Sequence, residues 1–263
     1  MKDGADTDAQ RRLRGAYTLA ASRYARWVAP RFRPLARELL AWPSLPADPA
    51  LDVGSGTGVV VSAWRRLAPG AELVAADLTP AMLERSRARW RVVADAAALP
   101  FAAATFRTVV SMFALHHLPD PGAALREWAR VTARGGELRL ATWGENERTL
   151  WDCFDDVLAE QGLAEGPRLA PRPLDAAAPL VGAVACAGFD AIAVQERVEE
   201  FGFPDVAAFW HWRTAFPGGA RVLAGLPARR RSALRDALGR GLAAWPGPLV
   251  SRHRVLYLRA RLP

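Results

Sequence analysis

Leu51-Asp52-Val53-Gly54-Ser55-Gly56-Thr57-Gly58 reads as a strand that ends in alternate glycines and then enters a helix. Glycine admits positive φ and leaves room for a ligand where a Cβ would clash. The N–H groups exposed at a helix start attract an anionic group such as a carboxylate. Asp77 closes the next strand 19 residues after Gly58, a distance that suits an acid bonding a ribose diol at the adjacent strand tip. Two other ligand classes fit this loop badly. A dinucleotide fingerprint, G-x-G-x-x-G counted from Gly54, would need glycine where Val59 stands, and a phosphate loop needs an internal lysine, whereas the only lysine is Lys2.

Outward from the loop, short apolar strands alternate with amphipathic helices. Strands are expected at 50–53, 72–76, 91–94, 106–113 and 137–143, the last opened by Gly135-Gly136, with helices ending at Leu67 and covering 79–90 and 121–132. Such alternation implies right-handed βαβ units and a mostly parallel sheet covered by helices on both faces. Upstream, residues 8–41 carry Leu13, Tyr17, Ala20, Tyr24 and Trp27 at helical spacing. Pro30 is expected to break that helix, a second run covers Phe32 to Trp42, and Pro43, Pro46 and Pro49 form a stiff link into the first strand. Downstream, helices are expected over 147–161, 175–187, 204–215 and 228–244, with strands at 192–199 and 251–259. There is no repeat or low-complexity linker. One domain is therefore expected over 1–263: a helical cap at 8–47, a core at 48–145, an inserted lid with a sixth strand at 146–250, and a last strand at 251–263.

Composition narrows the class. Of 263 residues, 51% are hydrophobic and 24% charged, enough for a large core and incompatible with disorder. Cys153 and Cys186 lack the close spacing of a zinc ribbon or disulfide scaffold and suit a reducing cytoplasm. Arginine supplies 34 of the 35 basic residues, so no internal lysine serves Schiff-base chemistry. The net charge of +8 invites a nucleic-acid partner, yet near-total replacement of lysine by arginine points to coding bias. Arg229, Arg230, Arg231, Arg235 and Arg240, like Arg85, Arg87, Arg89 and Arg91, read as solvated faces without interleaved aromatics. Nucleic acid is not the expected partner. The start, Met1 to Gly15, has no apolar h-region, and Ala176–Phe189, interrupted by Pro179 and Gly182, reads as a buried helix too short for a bilayer. A soluble, cytoplasmic protein with no membrane partner is expected.

The G-x-G-x-G loop resembles motif I of the class I S-adenosylmethionine (SAM)-dependent methyltransferases, and the likeness continues in order. Val74-Ala75-Ala76-Asp77-Leu78-Thr79-Pro80-Ala81-Met82-Leu83 is similar to the second segment of that family, Val93-Ala94-Asp95-Ala96 with Leu99-Pro100-Phe101 to the third, and Ser111 to Asp120 to the fourth strand and its exit. Arg130-Val131 with Gly135-Gly136-Glu137-Leu138 resembles the turn into the fifth strand, while Arg107 and Arg134 depart from the pattern away from the expected cofactor contacts. The resemblance covers residues 17–143 and is strongest to the small-molecule branch that includes ubiquinone- and menaquinone-type enzymes. It implies a Rossmann-like, seven-stranded, mostly parallel sheet with an N-terminal helical cap and a helical insertion after the fifth strand. It also implies SAM as cofactor and S-adenosylhomocysteine (SAH) as product. Asp52, Gly54, Ser55, Gly56 and Gly58 would hold the amino-acid end, Asp77 the ribose, and Asp95 with the Ala96 backbone the adenine; Leu78, Met82 and Met112 complete the expected cofactor contacts.

Each residue has a plainer reading beside this one. Asp77 suits a cap on the helix beginning near Thr79, and Asp95 suits a turn. His116 and His117 stand where the fourth strand opens onto the ligand rim, so either could be a general base, or the pair could brace the turn. Tyr17, Tyr24, Trp143 and Trp210 are candidates for a substrate pocket, against ordinary packing. His211 and His253 lack companions at metal-ligand spacing, and no metal is expected. The function expected is methyl transfer to oxygen or carbon of a small, largely apolar or aromatic metabolite in secondary metabolism. Alternatives are a natural-product cyclisation or rearrangement that leaves SAM unconsumed, an RNA methyltransferase, or a non-enzymatic SAM-binding module.

Overall fold

Four consecutive buried residues, Ala50–Val53, form the central strand β1 of a seven-stranded sheet. The computed structural model describes residues 7–42, 44–163 and 174–263; Lys2 and Pro43 lie outside the described residues. Ahead of β1 come α1 (Asp8–Arg23), a π turn (Tyr24–Val28) and α2 (Ala29–Ala41). After it follow α3 (Val59–Leu67), β2 (Leu73–Asp77), α4 (Pro80–Leu83), β3 (Trp90–Val93) and β4 (Phe106–Met112). A 3₁₀ turn at Leu115–His117 then leads to α5 (Pro121–Val131) and β5 (Thr132–Trp143). The remainder comprises α6 (Leu150–Glu160), α7 (Ala177–Cys186), β6 (Asp190–Gly202), α8 (Val206–Arg213), α9 (Pro217–Ala224), α10 (Ala228–Ala243) and β7 (Val250–Arg261).

The strand order is β3-β2-β1-β4-β5-β7-β6. The first five strands run parallel, and β7 lies antiparallel between β5 and β6. Because β2 and β4 flank β1, the winding reverses between β1 and β4, where open α/β sheets leave a crevice at the carboxyl ends of the strands. One apolar cluster joins α2, α3, α6, α8 and α10 to one face; the other packs Trp128, Leu180 and Val184 of α5 and α7 against Leu51, Val109 and Leu258. Between sheet and cap, Arg139 is 1% exposed. Its Nε donates to Glu137 Oε1 at 2.8 Å, its Nη1 to the Leu40 carbonyl at 2.5 Å and its Nη2 to the Ser44 carbonyl at 2.7 Å. A cation there satisfies carbonyls at the end of α2 that no further turn would bond.

Several expectations need correction. Pro30 does not break the first helix: the wider π turn shifts the carbonyl its ring would strike, and Pro30 falls in the first turn of α2, where no N–H is required. The helix expected over 79–90 stops at Leu83. There the Ser86 hydroxyl accepts from the Ala88 N–H at 3.2 Å, a local bond that competes with the helix. Trp90 instead starts β3. Strand β5 begins at Thr132, with Gly135 at φ +72° inside it rather than before it. The helix α7 buries Leu180 and Val184 and leaves its other side half-buried or exposed. Helix α9 lies between the helices expected over 204–215 and 228–244; Pro217 opens it in the first turn, and a Cβ on Gly219 would stand 2.7 Å from Thr214 Cα.

Candidate functional site

The glycine loop leaves β1 with φ of +70° at Gly54, +56° at Gly56 and +79° at Gly58. At Gly54 the requirement is doubled, since a Cβ would collide with the side chain of Ala114 at the exit of β4. Gly58 is the N-cap of α3 and packs against Ser86 in the same way; it lines neither of the clefts described below, so packing explains it. The Gly56 N–H donates to Asp77 Oδ2 at 2.8 Å, and the Thr79 N–H donates to Oδ1 at 2.8 Å. Thr79, not Asp77, is the N-cap of α4. Loop and helix entrance thus aim one carboxylate from the tip of β2 into the crevice.

A cleft of about 880 Å³, solvent at its mouth included, opens over the tips of β1, β2 and β4. Gly54, Gly56, Asp77, Leu78, Met82, Asp95, Ala96 and Met112 line it, and so do Tyr17, Tyr24 and His117. A narrower recess of about 330 Å³ continues along the loop past Asp52, Ser55 and Thr57, with Tyr24, Gly54, Gly56 and Met112 shared between the two. Asp52 is 1% exposed, and its Oδ2 has no hydrogen-bond partner, nor do Ser55 Oγ and Thr57 Oγ1. Burial pushes the Asp52 carboxyl up to about 7, and the Asp77 charge adds to the rise. Asp77 is also raised by burial, against the hydrogen bonds from Thr79 and Gly56 that lower it.

Asp95 serves a turn and the cleft together. Its Oδ1 accepts from the Ala97 N–H at 2.9 Å, and its Oδ2 accepts from Gln10 Nε2 at 2.6 Å. The Ala96 carbonyl accepts from Trp128 Nε1 at 3.0 Å, and Ala96 lines the cleft beside Asp95. Helix α1 lines the same cleft and reaches the exit of β4. There the Tyr17 hydroxyl lies 2.7 Å from His117 Nε2, the rings meeting edge-on at 87°. Burial, with Tyr24 and Asp77 nearby, raises Tyr17 well above the ordinary phenol value.

Other candidates fall elsewhere. His116 stacks at 4.0 Å on His117 and does not line the cleft. Trp143 and Trp210 line neither cleft: Trp143 lies 4.1 Å over Phe113, and Trp210 packs 6.0 Å from Phe154, where large rings bury more area against one another than along an open rim. His211 stacks on Trp27 at 4.7 Å, and His253 Nε2 lies 2.7 Å from Ser251 Oγ. Sequence reasoning missed Gln10, Leu13, Phe113 and Leu118, which also line the cleft. Phe113 holds φ at +57°, a strained value for a bulky residue and one that no sequence pattern announces. Gln10 carried a signal, the capping box with Thr7, but one that speaks only of a helix start.

Residues 51–140 match the family model described as a methyltransferase domain. A malonyl-[acyl-carrier protein] O-methyltransferase of Halorhodospira halophila is 39% identical over 137 residues, 48% of this chain and 46% of that protein. A demethylmenaquinone methyltransferase of Mycolicibacterium gilvum is 33% identical over 176 residues, 66% of this chain and 74% of that protein. The chain spans about half the length of several curated relatives that it matches. Among solved structures, a SAM-dependent methyltransferase of Thermotoga maritima superimposes with a TM-score of 0.57 at 16% identity, covering 95% of this chain and 99% of the other.

Proposed function

The chain belongs to the class I SAM-dependent methyltransferases, and from that premise we propose that it methylates an oxygen or carbon of a small, largely apolar or aromatic metabolite. The observation that carries this reading is the pairing of Tyr17 with His117 in the cleft that Asp77 and Asp95 also line. The residues fit the cofactor. The buried Asp52 Oδ2, Ser55 Oγ and Thr57 Oγ1, which find no partner within the chain, suit an amino-acid end that supplies both donors and acceptors. Asp77 would take the ribose hydroxyls, Asp95 and the Ala96 backbone the adenine edge, with Leu78, Met82 and Met112 packing around them. Gly54, Ser55 and Gly56 would flank the amino-acid end, and Gly58 shapes the loop behind them. When bound, SAM supplies a methyl group on a positively charged sulfur, open to in-line displacement.

The chain's own part is position and proton. Burial keeps the Tyr17 phenol neutral; with His117 in the tautomer that leaves Nε2 without a proton, the Tyr17 O–H donates to Nε2 while its oxygen accepts the hydroxyl proton of the substrate. The substrate proton passes to Tyr17, and the Tyr17 proton passes to His117. Leu13, Tyr24, Phe113 and Leu118 supply the apolar wall against which an aromatic acceptor would lie and from which water is excluded. We place the activity in secondary metabolism and in the cytoplasm; among the described residues no helix is long and apolar enough to cross a membrane.

Methyl-labelled SAM incubated with a soluble naphthohydroquinone and a panel of alkylphenols tests the reading. Label is expected in product for the wild type, and Tyr17→Phe or His117→Ala should each lower kcat by about 10²-fold or more with SAH affinity little changed. Retention of all label in SAM while substrate is converted would point instead to rearrangement. Full activity in both variants would remove the proton-transfer pair.

A further inference from the structure

Gln10 stands in the first turn of α1, where its Oε1 accepts from the Thr7 N–H at 2.7 Å and Thr7 Oγ1 accepts from the Gln10 N–H at 3.2 Å. That reciprocal cap needs only the carbonyl half of its amide. The other half, Nε2, reaches across the cleft to Asp95 Oδ2 at 2.6 Å, a part-buried bond between residues on separate elements. Since Asp95 Oδ1 is already committed to the Ala97 N–H, both oxygens of this carboxylate are engaged. A carboxamide NH₂ and the exocyclic amine of a purine offer the same planar donor to a carboxylate. Two turns further along the same face of α1, Tyr17 bonds His117. The helix therefore straps the cleft at two points, the β3 side through Gln10 and the β4 exit through Tyr17.

We propose that Gln10 is an affinity-setting residue for the cofactor: its amide stands on Asp95 where the exocyclic amine would stand, and it must yield that oxygen as the cofactor binds. The inference rests on the reading of Asp95 given under the proposed function. Displacement need not unseat the helix, because α1 also buries Ala16, Ala20 and Ala21 and keeps its bond to His117. Gln10 thereby opposes binding of an amino-bearing purine while leaving a purine without that amine unopposed.

Calorimetric titration of the full chain with SAH, and with its 6-oxo analogue S-inosylhomocysteine, tests this without any turnover. The bond given up on binding is one to a charged carboxylate, so Gln10→Leu should bind SAH roughly ten- to a hundredfold more tightly and the 6-oxo analogue unchanged. Gln10→Glu retains the cap with Thr7 but has no donor for Asp95, and should tighten SAH in the same direction even if the leucine variant loses the helix start. SAH affinity equal to or weaker than wild type in both variants overturns the proposal. Tightening of SAH and of the analogue alike overturns it too, since it would show a general loosening of the helix. SAH binding to no form, wild type included, removes the cofactor reading itself and the gate with it.

Discussion

Asp52 is the residue whose chemistry depends most on its surroundings. It sits on a strand buried along its whole length, so its carboxylate loses water and gains no cation in return. The folded value near 7 lies above the ordinary carboxyl value of 3.8. In the unfolded chain the group therefore loses its proton first. Between about pH 4 and pH 7 the folded state holds the extra proton, and stability falls as pH rises through that window. The full difference is about 4 kcal/mol above pH 7 and vanishes below pH 4. Asp52→Asn should remove this contribution, so the variant should melt above the wild type at pH 8 and together with it at pH 3.5. Thermal melts across that range check the prediction; an offset independent of pH would mean that Asp52 is not the titrating group. A binding partner bearing an ammonium would reverse the sign, because it favours the ionised form, and SAH should then narrow the gap between the two melts at pH 8.

Arg139 holds the cap to the sheet. Its guanidinium reaches the Leu40 and Ser44 carbonyls at the end of α2, and its partner Glu137 also accepts from Arg259 Nε at 2.7 Å on β7. Removing the cation strands two carbonyls and half of a buried carboxylate, so Arg139→Met should lower unfolding free energy by about 3 kcal/mol in urea titration. A loss below 1 kcal/mol would show that water or a neighbouring arginine takes over. At this scale the sequence is legible where one local rule acts alone. Strand β1 and helix α3 fall where the apolar run and glycine loop put them, and α10 matches its spacing within a residue. It is illegible where two local rules conflict or a distant contact decides. Pro30 signals a break only if the turn before it is α rather than π, and Gly219 signals a loop unless the Thr214 backbone presses against it. The site divides in the same way. Asp77 and the loop are local, set by strand tips a fixed distance apart. Tyr17 with His117 is a contact across 100 residues of sequence, and Trp143 and Trp210 carry no local signal that they pack on Phe113 and Phe154 rather than line the cleft.

At the scale of the molecule, the sheet alone does not close the cleft. Its floor comes from β1, β2 and β4, its carboxylates from the tips of β2 and β3, and its roof from α1 and the π turn. Among the described residues none after Pro119 lines the cleft; the inserted helices α6, α8 and α10 pack into the same apolar cluster as α2, where Phe32 meets Phe113, Phe201 and Phe216. Cap, core and insertion thus share one apolar body, which argues that they melt as one cooperative unit rather than as a core with a separable lid. A ligand gripped from both floor and roof stabilises that whole unit by mass action. SAH at a hundred times its Kd should contribute about 2.7 kcal/mol. For a chain near this size that is a rise of about 5–10 °C in Tm. Calorimetric melts should therefore show a single transition that moves upward intact with SAH, and Asp77→Asn should abolish most of the movement. Two transitions, of which only one responds to SAH, would mean that the insertion or the cap folds apart from the sheet, and the single-unit organisation would have to be given up. A single transition that does not respond would leave the organisation standing and count against the cleft as the place where SAH binds.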